Sequence, residues 1–249
     1  MAPAGNDAGQ RSQRKQTTPK PDSRSLAGID LLADLRPEEL AAVETACRWK
    51  RYLPHQQIID RESKSSDVFF VAEGRTRVVN YSFSGRGIIL DELPAGSYFG
   101  ELAALDGRPR SARVVALTDS LIAALPRKYF LRLLEKRPQV ARRVMARLAG
   151  IVRVSTDRIM ELSTLGANNR VHADLLRHAR TCMDGENRAA IQPIPVHGDI
   201  ASRVSTTRET VARVMNELAR MGILERKKDV LIIRDIARLQ EMVEEVRGE

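Results

Sequence analysis

The stretch GSYFGELAAL at residues 96–105 carries groups that can bind a small phosphate ester. Gly96 and Gly100 allow the chain to turn tightly, which brings backbone N–H groups close to an anion. Glu101 supplies a carboxylate that can accept two hydrogen bonds, which suits the hydroxyl group of a ribose. The stretch therefore predicts a turn and a short helix, and by itself it is compatible with an ordinary helix start as well as with an anionic ligand.

The stretch PRSARV at residues 109–114 adds the cation that such a ligand needs. The guanidinium of Arg110 is a planar fork of donors that matches phosphate oxygens, and Ser111 adds a hydroxyl beside it. Neighbouring apolar side chains would exclude water and strengthen the charged contact; these are Phe99, Leu102, Leu105 and Val114. The alternative is an ordinary Glu101–Arg110 salt bridge, but the order and spacing of the two stretches together favour a ligand site.

Together the two stretches resemble the phosphate-binding cassette of cyclic-nucleotide-binding domains. The pattern of that cassette is G-x-x-F/I-G-E-L/I-A/G-L, followed after a short variable stretch by P/Q/E-R-S/T/A-A. The resemblance implies that Glu101 binds the ribose 2′-hydroxyl, and that Arg110 and Ser111 bind the cyclic phosphate with backbone amides near Gly100. The ligand-binding residues that it implies are Gly100, Glu101, Leu102, Arg110, Ser111 and Ala112.

Composition predicts a soluble two-domain protein, because 249 residues are many for one domain and 43% of them are hydrophobic. No apolar run approaches the ~20 residues of a membrane span. The N-terminus lacks the apolar core of a secretory signal, so we expect a cytoplasmic protein with no membrane partner. Cys47 and Cys182 lie far apart and match no metal-ligand spacing, so no metal is expected. The 41 Lys and Arg against 32 Asp and Glu give a net charge of +9, which permits a polyanionic partner.

The order of sequence patterns predicts an α+β protein in four segments. Residues 1–25 should be a disordered basic tail, and residues 26–137 a cyclic-nucleotide-binding domain built as an antiparallel β-roll or barrel. Residues 138–165 should be a dimerisation helix, and residues 166–249 a winged helix-turn-helix domain. Six short β-like runs indicate the roll: Gln57–Asp60, Val68–Ala72, Thr76–Tyr81, Ile88–Leu93, Arg113–Ala116 and Ser120–Ala124.

The dimerisation helix is indicated by an apolar seam with steps of three and four residues. Its positions are Val144, Leu148, Ile151, Ser155, Ile159 and Leu162. The pattern is typical of a two-stranded coiled coil, and the alternative is a helix packed on its own barrel. Ser155 and Thr156 interrupt the seam and are either plain surface or contacts to the base of a ligand. The family resemblance favours the second interpretation, with contacts across the dimer interface.

Two short helices in the C-terminal segment predict a helix-turn-helix. They span Val196–Arg203 and Thr207–Met221 and are separated by a break at residues 204–206 that is long enough only for a tight turn. Two β-like runs then flank Lys227 and Lys228, which predicts a hairpin wing. The first turns of the second helix carry Arg208, Glu209 and Arg213, which can hydrogen-bond guanine and cytosine edges in the major groove.

A local alternative exists for these three side chains. Thr206 and Glu209 have the spacing of a helix capping box, and Arg213 could pair with Glu209 one helical turn away. Neither contact would explain Arg208, so DNA recognition is the favoured interpretation.

The segment TRETVAR at residues 207–213 resembles the recognition helix of the cyclic-AMP-responsive branch of the CRP/FNR family of transcription regulators. The resemblance covers roughly residues 26–235. It implies a homodimer that binds double-stranded DNA at an inverted repeat of TGTGA-like half-sites, under control of a cyclic nucleotide and with RNA polymerase as a further partner. It places backbone-phosphate contacts at Val196, His197, Gly198, Thr206 and Thr207, with Lys227 and Lys228 of the wing added. His197 and Gly198 differ from the polar pair usual in the family.

Two other function classes compete with a ligand-gated regulator. An enzyme is disfavoured because no nucleophile–base pair or metal-ligand cluster accompanies the motifs, and His172 and His178 are expected to be surface or packing residues. A DNA-binding protein that acts without ligand is the remaining alternative, which the intact Glu101 and Arg110 disfavour. The cassette favours cyclic AMP as the ligand, and cyclic GMP stays open.

Overall fold

The computed structural model describes residues 24–82, 85 and 87–245 of the 249-residue chain. The basic tail that composition predicts at residues 1–25 therefore lies outside the described residues, apart from Arg24 and Ser25.

The N-terminal half is an antiparallel β-roll of two four-stranded sheets, preceded by a 3-10 turn at Asp30–Leu32 and a helix α1 at Pro37–Ala46. Its strands are β1 (Arg48–Tyr52), β2 (Gln57–Ile59), β3 (Val68–Glu73), β4 (Arg75–Tyr81), β5 (Gly87–Pro94), β6 (Tyr98–Phe99), β7 (Arg113–Ala116) and β8 (Ser120–Leu125). The sheet orders are β1-β8-β3-β6 and β2-β7-β4-β5. A helix α2 (Glu101–Asp106) connects β6 to β7. All six predicted runs are strands, and the α+β class is confirmed.

Two strands of the roll, and β9 in the C-terminal region, are not anticipated by the sequence pattern. β1 has the sequence RWKRY and pairs along its length with β8, although most of its side chains are exposed. β6 has only two residues, which pair with Phe69 and Phe70 of β3. β1 has no apolar alternation and is defined by its pairing with β8. Both residues of β6 are buried, but a run of two residues is too short to show a period.

Two helices close one face of the roll, α3 (Arg127–Lys136) and the long α4 (Pro138–Thr164). Phe130 of α3 and Val140 and Val144 of α4 are buried with Phe70 in one apolar core, and Leu148 packs against it half-buried. The assignment of Val144 to a dimer seam is therefore wrong, because the chain's own roll covers it, whereas Leu148 is covered only in part. The later seam residues Ile151, Ile159 and Leu162 are exposed.

The C-terminal region is a winged helix-turn-helix domain. Its elements are α5 (Ala167–Thr181), β9 (Ala189–Ile191), α6 (His197–Arg203), α7 (Arg208–Arg220), β10 (Leu224–Lys227), β11 (Val230–Ile233) and α8 (Ile236–Glu244). The three strands form an antiparallel sheet of order β10-β11-β9. Ile200 of α6 and Val211, Val214 and Leu218 of α7 are fully buried, so the two helices pack through one apolar face each.

Within the described part of the chain, no helix has the length and apolar character needed to cross a bilayer.

Candidate functional site: a cavity under the cassette and an exposed helix-turn-helix surface

A cavity of about 560 Å³ lies between the cassette, the second sheet and α4. Its walls include the apolar side chains of Leu93, Phe99 and Val114 on the roll and of Ile151 and Val154 on α4. Polar side chains enter it from the cassette and from α4. A cavity that is mostly apolar with a few convergent polar groups is typical of a small-molecule site.

Gly100 allows the two halves of the cassette to meet. Its backbone is left-handed, with φ of +86°, and α2 begins at the next residue. A Cβ atom at this position would lie 2.6 Å from Nη1 of Arg110 and 3.0 Å from the carbonyl oxygen of Asp67. Any other residue would therefore be strained in its backbone and would push the arginine away.

Arg110 is almost fully enclosed, with 3% of its surface exposed. Its Nη1 donates to the Gly100 carbonyl at 2.7 Å, Nη2 to the Asp67 carbonyl at 2.7 Å, and Nε to Oγ of Ser65 at 3.0 Å. Its guanidinium also lies over the ring of Phe69, 5.4 Å from the ring centroid. Burial lowers the pKa of Arg110 and the charges of Asp67 and Glu101 oppose that change. The side chain is a cation fixed in orientation beside the cavity.

Glu101 begins α2 and is also buried, with 5% of its surface exposed. Burial raises its pKa, while its own backbone N–H and the cations Arg147 and Arg110 act in the opposite direction. A carboxylate in this position has a strong need for hydrogen-bond donors, which the hydroxyl of a sugar can supply.

Two arginines of α4 belong to the cavity wall although sequence reasoning did not assign them to it. Arg147 lies over the ring of Tyr98 at 4.8 Å and 3.8 Å from the carboxylate of Asp91. Arg158 donates from Nη1 to the Ile89 carbonyl at 3.2 Å. In the sequence they look like ordinary charges on a long helix, and only the packing of α4 on the roll turns them inward.

The structure brings all but one of the predicted ligand-binding residues to this cavity. Its lining includes Gly100, Glu101, Leu102, Arg110, Ser111, Ala112 and Ser155. Thr156 is not part of the lining; its Oγ1 donates to the Val152 carbonyl in the preceding turn of α4, and the side chain is exposed.

The predicted base-contacting residues Arg208, Glu209 and Arg213 are all exposed on α7. The helix is capped by Thr207, whose Oγ1 accepts from the Thr210 N–H at 3.3 Å. The alternative of a capping box at Thr206 is therefore wrong, because Thr206 is buried behind the turn and the cap lies one residue later. The alternative pairing of Arg213 with Glu209 is not observed either, since Arg213 donates to Oδ1 of Asn168.

Glu209 nevertheless makes local contacts at the start of α7. Hydrogen bonds from its own backbone N–H and from the hydroxyl of Thr207 lower its pKa, so that it is an anion at neutral pH. Being exposed, its carboxylate still has room for further donors.

Gly198 has a local reason to differ from the family pattern. A Cβ atom there would lie 2.9 Å from Nε of Arg208, so the missing side chain leaves room for the guanidinium. Val196 is exposed and His197 is half-buried at the start of α6. Lys227 and Lys228 are exposed at the tip of the β10–β11 hairpin, where Lys227 lies 4.0 Å from Glu225.

Among the residues that the structure describes, no group of three or more His, Cys, Asp or Glu side chains could hold a metal ion.

The sequence profile of the cyclic nucleotide-binding domain matches residues 49–137, and that of the Crp-like helix-turn-helix domain matches residues 169–242. The chain is 30% identical over 217 residues to the cyclic AMP receptor protein of Thermus thermophilus, an alignment that covers 87% of this chain and 98% of that protein. The chain belongs to the CRP/FNR family of transcription regulators.

Solved structures of CRP/FNR-type proteins are similar in fold. A transcriptional regulator of this family from Thermus thermophilus superposes with a TM-score of 0.58 at 25% identity, over 79% of this chain and 98% of that one. A mutant of CooA from Carboxydothermus hydrogenoformans gives a TM-score of 0.75 at 22% identity, over 86% and 94% of the two chains. This CRP/FNR regulator thus joins a cyclic nucleotide-binding domain to a DNA-binding domain, in a family of regulators rather than enzymes.

Proposed function

We propose that this regulator binds DNA under the control of a cyclic nucleotide, with cyclic AMP as the ligand and cyclic GMP as the alternative. The observation that carries the proposal is the cavity in which Arg110 and Glu101 of the cassette meet α4. A phosphate ester fits the donors of Arg110 and a ribose hydroxyl fits the carboxylate of Glu101. The base of the nucleotide would then lie toward Ser155, whose hydroxyl can donate or accept a hydrogen bond.

The active species in this proposal is a homodimer. Beyond Ile151, the long helix leaves a series of large apolar side chains exposed, which a second copy of the chain would cover. These side chains are Val152, Val154, Ile159, Met160 and Leu162. Thr156 lies among them, so it would contact the base of the nucleotide held by the partner subunit. We retain residues 26–137 as the ligand domain, 138–165 as the dimerisation helix and 166–249 as the DNA-binding domain.

In the dimer, two copies of α7 would enter successive major grooves of an inverted repeat with TGTGA-like half-sites. Arg208 and Arg213 would donate to guanine O6 and N7, and Glu209 would accept from cytosine N4. The phosphate contacts would come from Val196, His197, Gly198, Thr207, Lys227 and Lys228. Thr206, for which the family resemblance implies the same role, is buried behind the turn and is not among them. We place the complex in the cytoplasm, with RNA polymerase as the partner at promoters.

The ligand controls DNA binding only to the extent that it binds the DNA-competent arrangement more tightly than the other one. The corresponding coupling free energy is typically ~1–3 kcal/mol. Because α4 lines the cavity and leads directly into α5, a nucleotide held between the cassette and α4 would bias the position of the DNA-binding domain.

The proposal is tested by calorimetric titration of the full-length protein with cyclic AMP and cyclic GMP, followed by selection of bound sites from random DNA with and without the nucleotide. We expect one nucleotide per chain and enrichment of an inverted repeat that depends on the ligand. Equal enrichment in both selections would instead support a ligand-independent regulator of the same fold. That alternative is favoured by one observation, namely that carbonyl and hydroxyl groups of the protein already engage Nε, Nη1 and Nη2 of Arg110.

A further inference from the structure

One arginine of the β-roll binds the helix-turn-helix domain directly. Nη1 and Nη2 of Arg77, on β4, donate to the two carboxylate oxygens of Asp199 at 2.9 and 2.7 Å. Nε and Nη2 also donate to Oε1 of Glu92 on β5 at 3.1 and 2.7 Å. Only 19% of the Arg77 side chain is exposed, so this planar donor fork is held between two carboxylates with little access to water.

Asp199, the partner of Arg77 in the helix-turn-helix domain, lies on α6, which packs against α7. Asp199 is in the first turn of α6, directly after the proposed phosphate-contacting residues 196–198. The helix α6 packs on β5 on one side and on α7 on the other. A contact that holds Asp199 therefore sets the direction of α6, and through it the direction in which Arg208 and Glu209 on α7 point.

On the roll, Arg77 also binds Glu92 of strand β5, and this strand borders the cavity. Asp91 and Leu93 of β5 line the cavity, and Glu92 between them binds Arg77. The same strand meets α4 through the Arg158 bond to the Ile89 carbonyl and through the approach of Arg147 to Asp91. Strand β5 thus touches the cavity, the long helix and, through Arg77, the DNA-binding domain.

We propose that Arg77 is a positioning residue, which orients α6 on the roll and transmits the state of the cavity to the DNA-binding surface. The proposal rests on the proposed ligand control of DNA binding and names the contact that carries it. A ligand that displaces β5 or α4 alters the Glu92–Arg77–Asp199 network, and a network of three partly buried charges is screened less than an exposed pair. By linkage, binding of DNA then changes the affinity of the cavity for the nucleotide by the same factor by which the nucleotide changes the affinity for DNA.

Arg75 provides a matched control for the experiment. It lies two residues before Arg77 on the same strand and donates to the other carboxylate oxygen of the same Glu92 at 2.8 Å. Its described side-chain partners do not include Asp199. Loss of Arg75 therefore removes a charge and a Glu92 contact from β4 while leaving the contact to α6 in place.

The experiment compares full-length wild type with Arg77→Ala, Asp199→Ala, the double variant, Arg77→Lys and Arg75→Ala. Affinity for the selected inverted-repeat DNA is measured by fluorescence anisotropy with and without cyclic AMP, and again with cyclic GMP. For wild type, we expect the affinity for DNA with cyclic AMP to exceed the affinity without it by about 5–150-fold. We expect that ratio to fall at least about fivefold in both single alanine variants, with no further fall in the double variant. Arg77→Lys should be intermediate, and Arg75→Ala should keep the wild-type ratio.

Hydrogen–deuterium exchange of the α6 amides separates this proposal from the proposed function. In the ligand-free protein, Arg77→Ala and Asp199→Ala should speed exchange at residues 200–204, and Arg75→Ala should not. An unchanged affinity ratio together with unchanged exchange in Arg77→Ala overturns the proposal. A wild-type ratio of one with faster exchange in Arg77→Ala overturns ligand control and transmission, and supports the orienting role alone.

Discussion

The cavity and the surface of α7 both use arginine and glutamate, but they differ in burial. Arg110 and Glu101 are 3% and 5% exposed, whereas Arg208 and Glu209 lie on an open helix surface. Removal of a buried ion leaves its desolvated hydrogen-bond partners unsatisfied and lowers the stability of the fold. An exposed ion is hydrated in the free protein and contributes only when a ligand such as DNA binds. The cavity is therefore a part of the folded domain, whereas the proposed DNA surface would be completed only by a second subunit and the nucleic acid. Mutations should separate the two regions accordingly.

The largest effect is expected at the buried cation. Arg110→Ala should remove most of the affinity for cyclic nucleotide, about 2–5 kcal/mol, because a desolvated and hydrogen-bonded charge pair is broken. It should also lower the thermal unfolding midpoint, since the carbonyls of Gly100 and Asp67 lose their donor. Calorimetry and thermal unfolding measure the two effects.

Arg113→Ala is the matched control, because Arg113 binds Asp60 and is not part of the cavity lining. Nucleotide affinity in Arg110→Ala equal to that of wild type would show that the phosphate does not bind here.

On the exposed surface we expect a loss of DNA affinity without a loss of stability. Arg208→Ala should cost about 1–3 kcal/mol at one base pair of each half-site and relax specificity there. The thermal unfolding midpoint should stay within the error of the measurement. Binding to a panel of single-base variants of the selected site measures the first effect. Arg220→Ala, at the other end of α7, serves as the control. Uniform weakening on every sequence would assign Arg208 to a phosphate instead of a base.

Acidification should affect the cavity more than the DNA surface. Burial raises the pKa of Glu101, and a ribose hydroxyl that donates to the carboxylate favours its charged form. Nucleotide affinity should therefore be greatest above this raised pKa and fall as the pH drops through it. In the ligand-free protein, by contrast, protonation of Glu101 stabilises the fold. This contribution to the free energy of unfolding is lost as the pH rises through the same range.

Titrations with cyclic AMP at several pH values would measure this dependence, and Glu101→Gln should flatten it. A dependence that persists in Glu101→Gln would assign the titration to another group.

The smallest effects are expected at Ser155 and Thr156. Loss of one neutral hydrogen bond costs about 0.5–1.5 kcal/mol, so each alanine variant should change the preference between cyclic AMP and cyclic GMP only by a modest factor. Ser155 lines the cavity of its own chain, whereas Thr156 would act on the partner's ligand. The effect of Thr156→Ala should therefore disappear when the dimer is diluted to monomers, and that of Ser155→Ala should remain. Thermal unfolding of the ligand-free double variant should be nearly unchanged.

Local sequence determined most of the fold and the chemistry of the cavity. The alternating and helical apolar patterns identified the six main strands of the roll and both helices of the helix-turn-helix, because each pattern reports which face of its own element is buried. The cassette residues were recognisable because Gly100, Glu101 and Arg110 lie close together in the chain. Asp235, whose carboxylate accepts from the Arg238 N–H, is a helix cap that could have indicated α8 as well.

Tertiary structure alone decided which charges face the cavity and which side of α4 is covered. Arg147 and Arg158 have the same local sequence character as the exposed arginines of the helix, and only packing against β5 separates them. Val144 and Ile159 belong to the same apolar repeat along α4, yet Val144 is buried in the roll and Ile159 is exposed. The contact between Arg77 and Asp199 joins residues 122 positions apart. Periodicity identifies an apolar face but not the surface that covers it, because that surface is made of residues distant in the chain.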